Sequence, residues 1–387
     1  MTRLLPACCW LSLCLLGCTV VGPTVQAADP ASLRLYIGTY TGPKSKGVYT
    51  STLDLATGKL SAAELAVELK NPSFLAVHPQ DPTLLYAVSE VDDAQGKPSG
   101  GVAALKRDPA SNRLTLLNAE LSGGAGPCHL NVDATGRHVL VANYGGGSVA
   151  ALPIVTGGKL GPATSVIVHQ GNSVNPQRQK EPHAHSINLD PANRFAFAAD
   201  LGLDQVLVYA FDPQAGTLAR HEPPFAKVAP GAGPRHFAFR PDGKFAYVIN
   251  ELGNTITVFE YTADKGVLRV VQDISTLPAG HTEPSYTAEV VVHPSGRFVY
   301  GSNRGHDSIA IFTVDAATGL LTAQGQEPTR GKAPRNFVVD PTGHWLLAEN
   351  QGSDTIYVFA IDQATGRLKE TGNPLSVPTP VCVRFVK

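Results

Sequence analysis

Six side chains in this sequence could together stabilise a developing negative charge and move a proton. They are Arg235, Arg304, Arg335, Glu251, His183 and His185. Guanidinium groups around a carboxylate form a site for an anion or an oxyanion, and imidazoles beside them exchange protons near neutral pH. The residue types therefore predict a polar site for oxyanion stabilisation and proton transfer. A solvated rim of ion pairs is the structural alternative.

The elements that must position these residues are copies of one pattern that recurs about every fifty residues. Each copy has a hydrophobic strand, a Pro/Asp/Gly turn and a second strand that ends in a polar residue. Two further short strands follow most copies, and four alternating strands in a repeat of this length are typical of a propeller blade. The clearest copies are 130–143, 187–200, 237–250, 290–303 and 337–350, with a looser one at 75–89.

The two ends of the chain each supply part of a blade. Residues 33–39 lack an inner strand before them, and residues 378–387 read as an inner strand with no blade behind it. Because a closed ring leaves no free sheet edge, we expect the ends to share one blade. The predicted fold is all-β: a seven-bladed β-propeller with four antiparallel strands per blade, formed by residues 28–387 as one domain.

The composition excludes several classes of partner. The net charge is -1, with acidic and basic residues interspersed, so no basic stripe indicates nucleic acid. Two cysteines follow the N-terminal segment, Cys128 and Cys382, and neither has haem or zinc spacing. They head inner strands of different predicted blades, which favours two separate thiols over a bridge. We expect neither a metal nor another cofactor, since the arginines would oppose a dication.

The first 27 residues have the pattern of a signal peptide. Arg3 precedes an apolar stretch at 4–21, and Val25-Gln26-Ala27 fits the small-residue cleavage pattern. We therefore predict export to the periplasm. Cys18 is an alternative lipoprotein acceptor, because it follows Leu15-Leu16-Gly17. Lipidation there is the one route by which we would expect membrane attachment.

Aligning the repeats places two columns of residues at one mouth of the central channel. One column follows the second strand of each copy, and the other opens the inner strand. Arg235 and Glu251, sixteen positions apart, span one inner hairpin and return to the same rim. His183 and His185 share one face of a strand. The columns carry three residues of each kind: Arg235, Arg304, Arg335, Glu90, Glu251, Glu289, His129, His185 and His236.

Four segments of the sequence resemble the lactonase propeller family of bacterial 6-phosphogluconolactonases and fungal muconate-lactonizing enzymes. They are Pro182-His183-Ala184-His185, Gly231-Ala-Gly-Pro-Arg235-His236, 248–254 and 302–308. The resemblance covers the chain from Tyr36 onward and implies hydrolysis of a lactone, a small-molecule ester. It implies catalytic roles for Glu251, Arg235 and Arg304 and for one histidine, His185 or alternatively His183. The predicted substrate-binding residues are His183, His236, Arg335, Tyr144, Glu90 and Asn250.

Two questions stay open at this point. Glu251 is the family's candidate general base, yet flanking guanidinium groups lower the pKa of a carboxyl, so His185 or His236 is an alternative proton acceptor. Export favours glucono-1,5-lactone over its 6-phosphate as substrate, while muconate cyclisation and a non-catalytic binding propeller are the alternative functions. The polar insertion 169–181 is predicted to be a lid, a contact in a homodimer or a disordered loop.

Overall fold

The computed structural model describes residues 1–2, 31–372 and 374–386. Cys18 and all but the first two residues of the predicted signal peptide lie outside this range. The described chain contains 29 β-strands and two short 3-10 helices, Thr156–Gly158 and Gln351–Ser353. No helix among the described residues is long and apolar enough to cross a membrane.

The strands follow one another as short antiparallel neighbours. Those of the first half are β1 Ser32–Thr39, β2 Gly47–Asp54, β3 Glu64–Glu68, β4 Leu75–Val77, β5 Leu84–Ser89, β6 Gly101–Arg107, β7 Leu114–Leu121, β8 Pro127–Val132, β9 His138–Asn143, β10 Ser148–Pro153, β11 Ser165–Val168, β12 Ala184–Leu189, β13 Phe195–Asp200, β14 Gln205–Asp212 and β15 Thr217–Lys227. Those of the second half are β16 Pro234–Phe239, β17 Phe245–Asn250, β18 Thr255–Thr262, β19 Val267–Ser275, β20 Tyr286–Val292, β21 Phe298–Arg304, β22 Ser308–Val314, β23 Leu321–Pro328, β24 Pro334–Val339, β25 Trp345–Asn350, β26 Thr355–Ile361, β27 Leu368–Glu370, β28 Leu375–Ser376 and β29 Pro380–Val386.

These strands form seven sheets, one for each blade, and confirm the predicted seven-bladed propeller. Six sheets have four strands, and in the seventh the outer position is divided between β27 and β28, which both pair with β26. The first sheet has the order β29-β1-β2-β3, so the two ends of the propeller share a blade as predicted. Ile37 of β1 pairs with Val383 of β29 in this closure.

Each blade is buried on both faces because its neighbours pack against it. All six residues of β17 are buried, although only one face of an isolated sheet would need to be apolar. One core cluster joins Tyr247 and Ile249 of one blade to Val290 and Val299 of the next. Burial of such side chains contributes about 1.5–3 kcal/mol each, so packing between neighbouring blades stabilises the ring.

A glycine in the turn of an outer hairpin allows neighbouring blades to pack closely. Gly366 has a φ of +72°, which L side chains rarely adopt, and the Asp362 carboxylate caps the same turn by accepting hydrogen bonds from two backbone amides. A Cβ at Gly366 would lie 2.5 Å from the ring of Phe298 in the preceding blade. The turn therefore needs glycine both for its backbone conformation and for the close approach of the neighbouring blade.

The innermost strands carry a feature that decides which side chains face the channel mouth. In five of them the pairing register shifts so that a single residue opposes none on the second strand. Such a β-bulge redirects a side chain at the end of a strand. The extra residues are Cys128, His185, Arg235, Arg335 and Val381.

Candidate active site

A polar cleft of about 360 Å³ opens at the mouth of the channel where the bulged strands begin. Its walls come from loops and strand ends of several blades, as expected for a site built on a rigid scaffold. The fold thus brings most of the sequence-predicted residues together. The cleft is lined by Glu90, Cys128, Tyr144, Arg178, His185, Glu251, Tyr286, Arg304 and Arg335.

The Glu251 carboxylate lies at the centre of an arginine cluster. One oxygen, Oε2, accepts a hydrogen bond from Arg235 Nε at 3.0 Å and forms an ion pair with Arg304 Nη2 at 2.9 Å. The other, Oε1, accepts one from Arg178 Nη2 at 2.8 Å. Because Glu251 follows β17 and Arg235 opens β16, the inner hairpin delivers both to the same rim.

The surroundings of Glu251 decide its protonation state. Burial raises the pKa of a carboxyl, but Arg304, Arg235 and Arg178 outweigh it here and lower the pKa of Glu251 to about 2. Burial in turn lowers the pKa of Arg304 to about 10, with Glu251 opposing that change. At neutral pH both groups are therefore charged, and the carboxylate is a weak base.

His185 presents a different kind of proton acceptor. Its ring lies edge-on to Tyr144. In the described structure the ring has one hydrogen-bond contact, between Nδ1 and the Cys128 sulfur at 3.5 Å. Burial, together with the charges of Arg235 and Arg335, holds the pKa of His185 well below its usual range. The imidazole is therefore neutral at pH 7, and the tautomer that carries its hydrogen on Nδ1 can accept a proton at Nε2.

His183 lies beside the cleft rather than in its wall. Its ring stacks on Tyr144 with a centroid distance of 4.5 Å and an angle of 14° between the planes. Its Nδ1 lies 3.0 Å from the Tyr144 backbone oxygen. His183 thus supports Tyr144 from behind, and of the two histidines only His185 lines the cleft.

Glu90 and Arg335 occupy the opposite wall. The Tyr40 hydroxyl donates to Glu90 at 2.8 Å and accepts from Arg335 Nη2 at 3.0 Å, and Ser73 also donates to Glu90. Arg335 lies over the Tyr40 ring, 5.4 Å from its centroid. Among the described residues no carboxylate lies within 4.0 Å of Arg335, which distinguishes it from the arginines around Glu251.

Besides His183, two predicted binding residues do not reach the cleft wall. His236 lies one layer deeper in the channel, with Nδ1 2.9 Å from Glu289 and its ring edge-on to His129 and His185. The sequence columns therefore form two layers instead of one mouth, because each bulged residue and its successor line the channel at different depths. Asn250 donates to Thr255 and Thr257 of its own blade, at 2.9 Å each.

Sequence reasoning missed two cleft residues. Arg178 comes from the polar insertion and Tyr286 from the start of β20, and neither belongs to a repeat column. Tyr286 is 45% exposed, so its ring is available as a flat surface for a bound ring. The signal that pointed toward Arg178 was the prediction of a lid over residues 169–181.

The remaining groups near the cleft are accounted for within the protein. The Asp200 carboxylate at the end of β13 is 2.6 Å from Nδ1 of His169. In the described part of the chain, no group of three or more His, Cys, Asp or Glu side chains could hold a metal ion. Cys128 and Cys382 are both free and buried, as the sequence favoured.

Comparisons with known proteins agree with this architecture. Residues 34–385 match the family described as "Lactonase, 7-bladed beta-propeller". The chain is 40% identical over 357 residues to a 6-phosphogluconolactonase of Bacillus subtilis, covering 91% of this chain and 97% of the relative. It is 32% identical over 308 residues to a 6-phosphogluconolactonase of Formosa agariphila, covering 78% of this chain and 85% of the relative.

A solved structure extends the likeness to three dimensions. The periplasmic gluconolactonase PpgL of Pseudomonas aeruginosa superposes with a TM-score of 0.86 at 34% identity, covering 92% of this chain and 99% of that one. The sequence match and the matching structure both extend over nearly the whole propeller. This chain belongs to the seven-bladed β-propeller lactonase family.

Proposed function

We propose that this protein hydrolyses a sugar lactone, glucono-1,5-lactone, to the open-chain aldonic acid in the periplasm. The observation that carries the proposal is the cleft itself, where a neutral imidazole with a free nitrogen faces guanidinium groups ordered around Glu251. Ester hydrolysis needs both functions: a proton acceptor for the attacking water and a positive partner for the oxyanion.

His185 is the proton acceptor in this proposal. Its Nε2 takes a proton from water as the oxygen attacks the lactone carbonyl, and a tetrahedral oxyanion forms. Collapse of that intermediate breaks the bond from the carbonyl carbon to the ring oxygen, and the protonated imidazole returns the proton to that oxygen. A base of low pKa is weak, yet sugar lactones open readily, so correct position compensates for modest basicity.

Glu251 has an orienting role in the same proposal. With a pKa of about 2 it stays ionised through the reaction, and its two oxygens fix the guanidinium groups of Arg235 and Arg304. Arg304 and Arg335 line the cleft and are the groups that would face the oxyanion. The exposed ring of Tyr286 suits the apolar face of a sugar ring.

The charges in the cleft favour a neutral substrate. Arg178, Arg235 and Arg304 share the one carboxylate of Glu251, whereas Arg335 has no carboxylate within 4.0 Å in the part of the chain that the structure describes. A phosphate dianion is held best by several unshared donors. The predicted signal peptide and the likeness to a protein described as a periplasmic gluconolactonase support the location.

Hydrolysis of the 6-phosphate is the second candidate, supported by the relatives named 6-phosphogluconolactonase and by the unpaired Arg335. The test is the initial ring-opening rate of both lactones, measured by pH-stat on the wild type and on Arg335→Gln. We expect the neutral lactone to have the higher kcat/KM. A preference for the phosphate that Arg335→Gln abolishes would establish the second candidate instead, and acceleration of neither lactone would refute both.

A further inference from the structure

The polar insertion forms an ordered arm over the cleft, which we define as residues 169–183. Both of its ends are tied to one side chain, Asp200 at the end of β13. His169 Nδ1 lies 2.6 Å from Asp200 Oδ2, and the backbone amide of His183 donates to Asp200 Oδ1 at 2.8 Å. The arm therefore starts and ends at a fixed place on its blade.

The middle of the arm is tied to a second carboxylate, Asp204, four residues further along the same turn. Gln179 is fully buried, and its Nε2 donates to Asp204 Oδ1 at 2.7 Å and to the Leu201 backbone oxygen at 2.9 Å. The Ser173 hydroxyl donates to Asp204 Oδ2 at 2.6 Å. A buried, fully bonded amide of this kind fixes the backbone on either side of it.

Asp204 also holds the loop that leads to Arg235. Its two oxygens accept hydrogen bonds from the backbone amides of Gly231 and Gly233, each at 2.7 Å. One buried carboxylate thus has four donors, two from the arm and two from this loop. The arm brings Arg178 to Glu251 from one side, and the loop brings Arg235 to it from the other.

Arg178 has donors to spare at the mouth of the cleft. Its bonds to Glu251 at 2.8 Å and to the Tyr144 hydroxyl at 3.3 Å both use Nη2. The side chain is 37% exposed and lines the cleft, so Nε and Nη1 remain available to a ligand. A guanidinium with one nitrogen fixed and the others open is well placed to bind a substrate oxygen.

We infer that Arg178 is a substrate-binding residue supplied by the arm, and that Asp204 is the positioning residue that holds it over the cleft. The inference rests on the proposed function for the nature of the ligand, a hydroxylated lactone. It gives the insertion a role in substrate binding, whereas a disordered loop was one of the alternatives from the sequence. It also predicts that loosening the arm and removing Arg178 have the same consequence for catalysis.

The first test compares Arg178→Gln with Lys180→Gln, a matched control that removes a positive charge from an exposed neighbour on the arm. With glucono-1,5-lactone as probe, we expect Arg178→Gln to lower kcat/KM by roughly 10- to 100-fold, mainly through KM, since a charge-assisted hydrogen bond is lost. Lys180→Gln should change it by less than about threefold. Equal effects of the two substitutions would overturn the inference.

The second test is a double-mutant cycle with Gln179→Ala, which detaches the arm and leaves the Gly231 loop in place. Gln179→Ala should lower kcat/KM in the wild type and have less than about a threefold effect when Arg178 is already Gln. Full additivity would show that the arm does not act through Arg178. Asp204→Asn should lower kcat/KM at least as much as Gln179→Ala, because it also loosens the loop before Arg235.

Limited trypsin digestion reports on the arm without any substrate, because the arm itself contains Arg178 and Lys180. We expect cleavage within the arm to be slow in the wild type and on the order of ten times faster in Gln179→Ala and Asp204→Asn. Equal rates in all three proteins would refute the anchoring role of Asp204. An inactive wild type would refute the proposed function, and the digestion rates would still decide whether the arm is anchored.

Discussion

Replacing Glu251 by Gln should destabilise the protein in a pH-dependent way. The substitution keeps the size of the side chain but removes the charge that three guanidinium groups share. The pKa of Glu251 falls from 4.5 to about 2 on folding, which corresponds to ~3 kcal/mol of folding free energy at neutral pH. Loss of one partner from a buried ion cluster has a cost of similar size.

The sign of the pH dependence follows from the direction of that pKa shift. Because the folded pKa lies below the unfolded one, the stabilisation is complete above about pH 5 and is lost as the pH falls toward 2. Glutamine mimics the protonated carboxyl, so wild type and Glu251→Gln should differ by ~3 kcal/mol at pH 7 and by only ~1 kcal/mol at pH 3.

Urea unfolding at both pH values measures this difference. Glu260→Gln is the control, since it breaks the exposed pair with Arg269 and should cost less than about 1 kcal/mol at either pH. The reasoning about the arginine cluster would be refuted if Glu251→Gln were as stable as the wild type at pH 7. A loss that stays the same at pH 3 would also refute it, because the ionised carboxylate could not then be its source.

Three further predictions concern protonation, thiol burial and ring closure. The pH profile of kcat/KM should stay level well below pH 6.5, because burial and nearby arginines lower the pKa of His185. A fall in kcat/KM with an apparent pKa at or above 6.5 would contradict the role of His185 as proton acceptor. Burial raises the pKa of the Cys128 thiol and raises that of Cys382 to about 11. Iodoacetamide at pH 8 should therefore label neither thiol until urea unfolds the protein, and rapid labelling of the native protein would contradict the structure. Deleting residues 380–387 removes β29 and exposes the edge of β1, so circular dichroism should show loss of cooperative unfolding; a cooperative transition like that of the full chain would mean that the shared blade is dispensable.

The architecture was predictable because its signals are local. Each Pro/Asp/Gly turn between two apolar runs defines an inner hairpin, and the unpaired pattern at 378–387 indicates how the ring closes. The spacing of Arg235 and Glu251 placed both at one rim, and the structure brings them within hydrogen-bond distance. These features depend on the repeat, which is visible in a single sequence.

The details that the sequence did not reveal depend on register and on contacts between distant residues. The bulge at Arg235 is a property of strand pairing, and it separates Arg235 from His236 into two layers that sequence columns merge. Arg178 reaches Glu251 only because Asp204 and Gln179 fix the arm, and no periodicity announces such contacts. Asn250 was predicted to face the site, yet its amide finds threonine partners within its own blade.

The most direct test of the proposed chemistry is the rate of glucono-1,5-lactone opening by wild type and by His185→Asn, measured by pH-stat at neutral pH. Asparagine keeps a polar side chain of similar reach to Nδ1 but cannot accept the proton of an attacking water. We predict that the wild type accelerates ring opening and that His185→Asn, folded as judged by circular dichroism, loses roughly 10²- to 10⁴-fold in kcat. A folded His185→Asn variant with wild-type kcat would contradict the assignment of His185 as proton acceptor, and a wild type with no acceleration would contradict lactone hydrolysis itself.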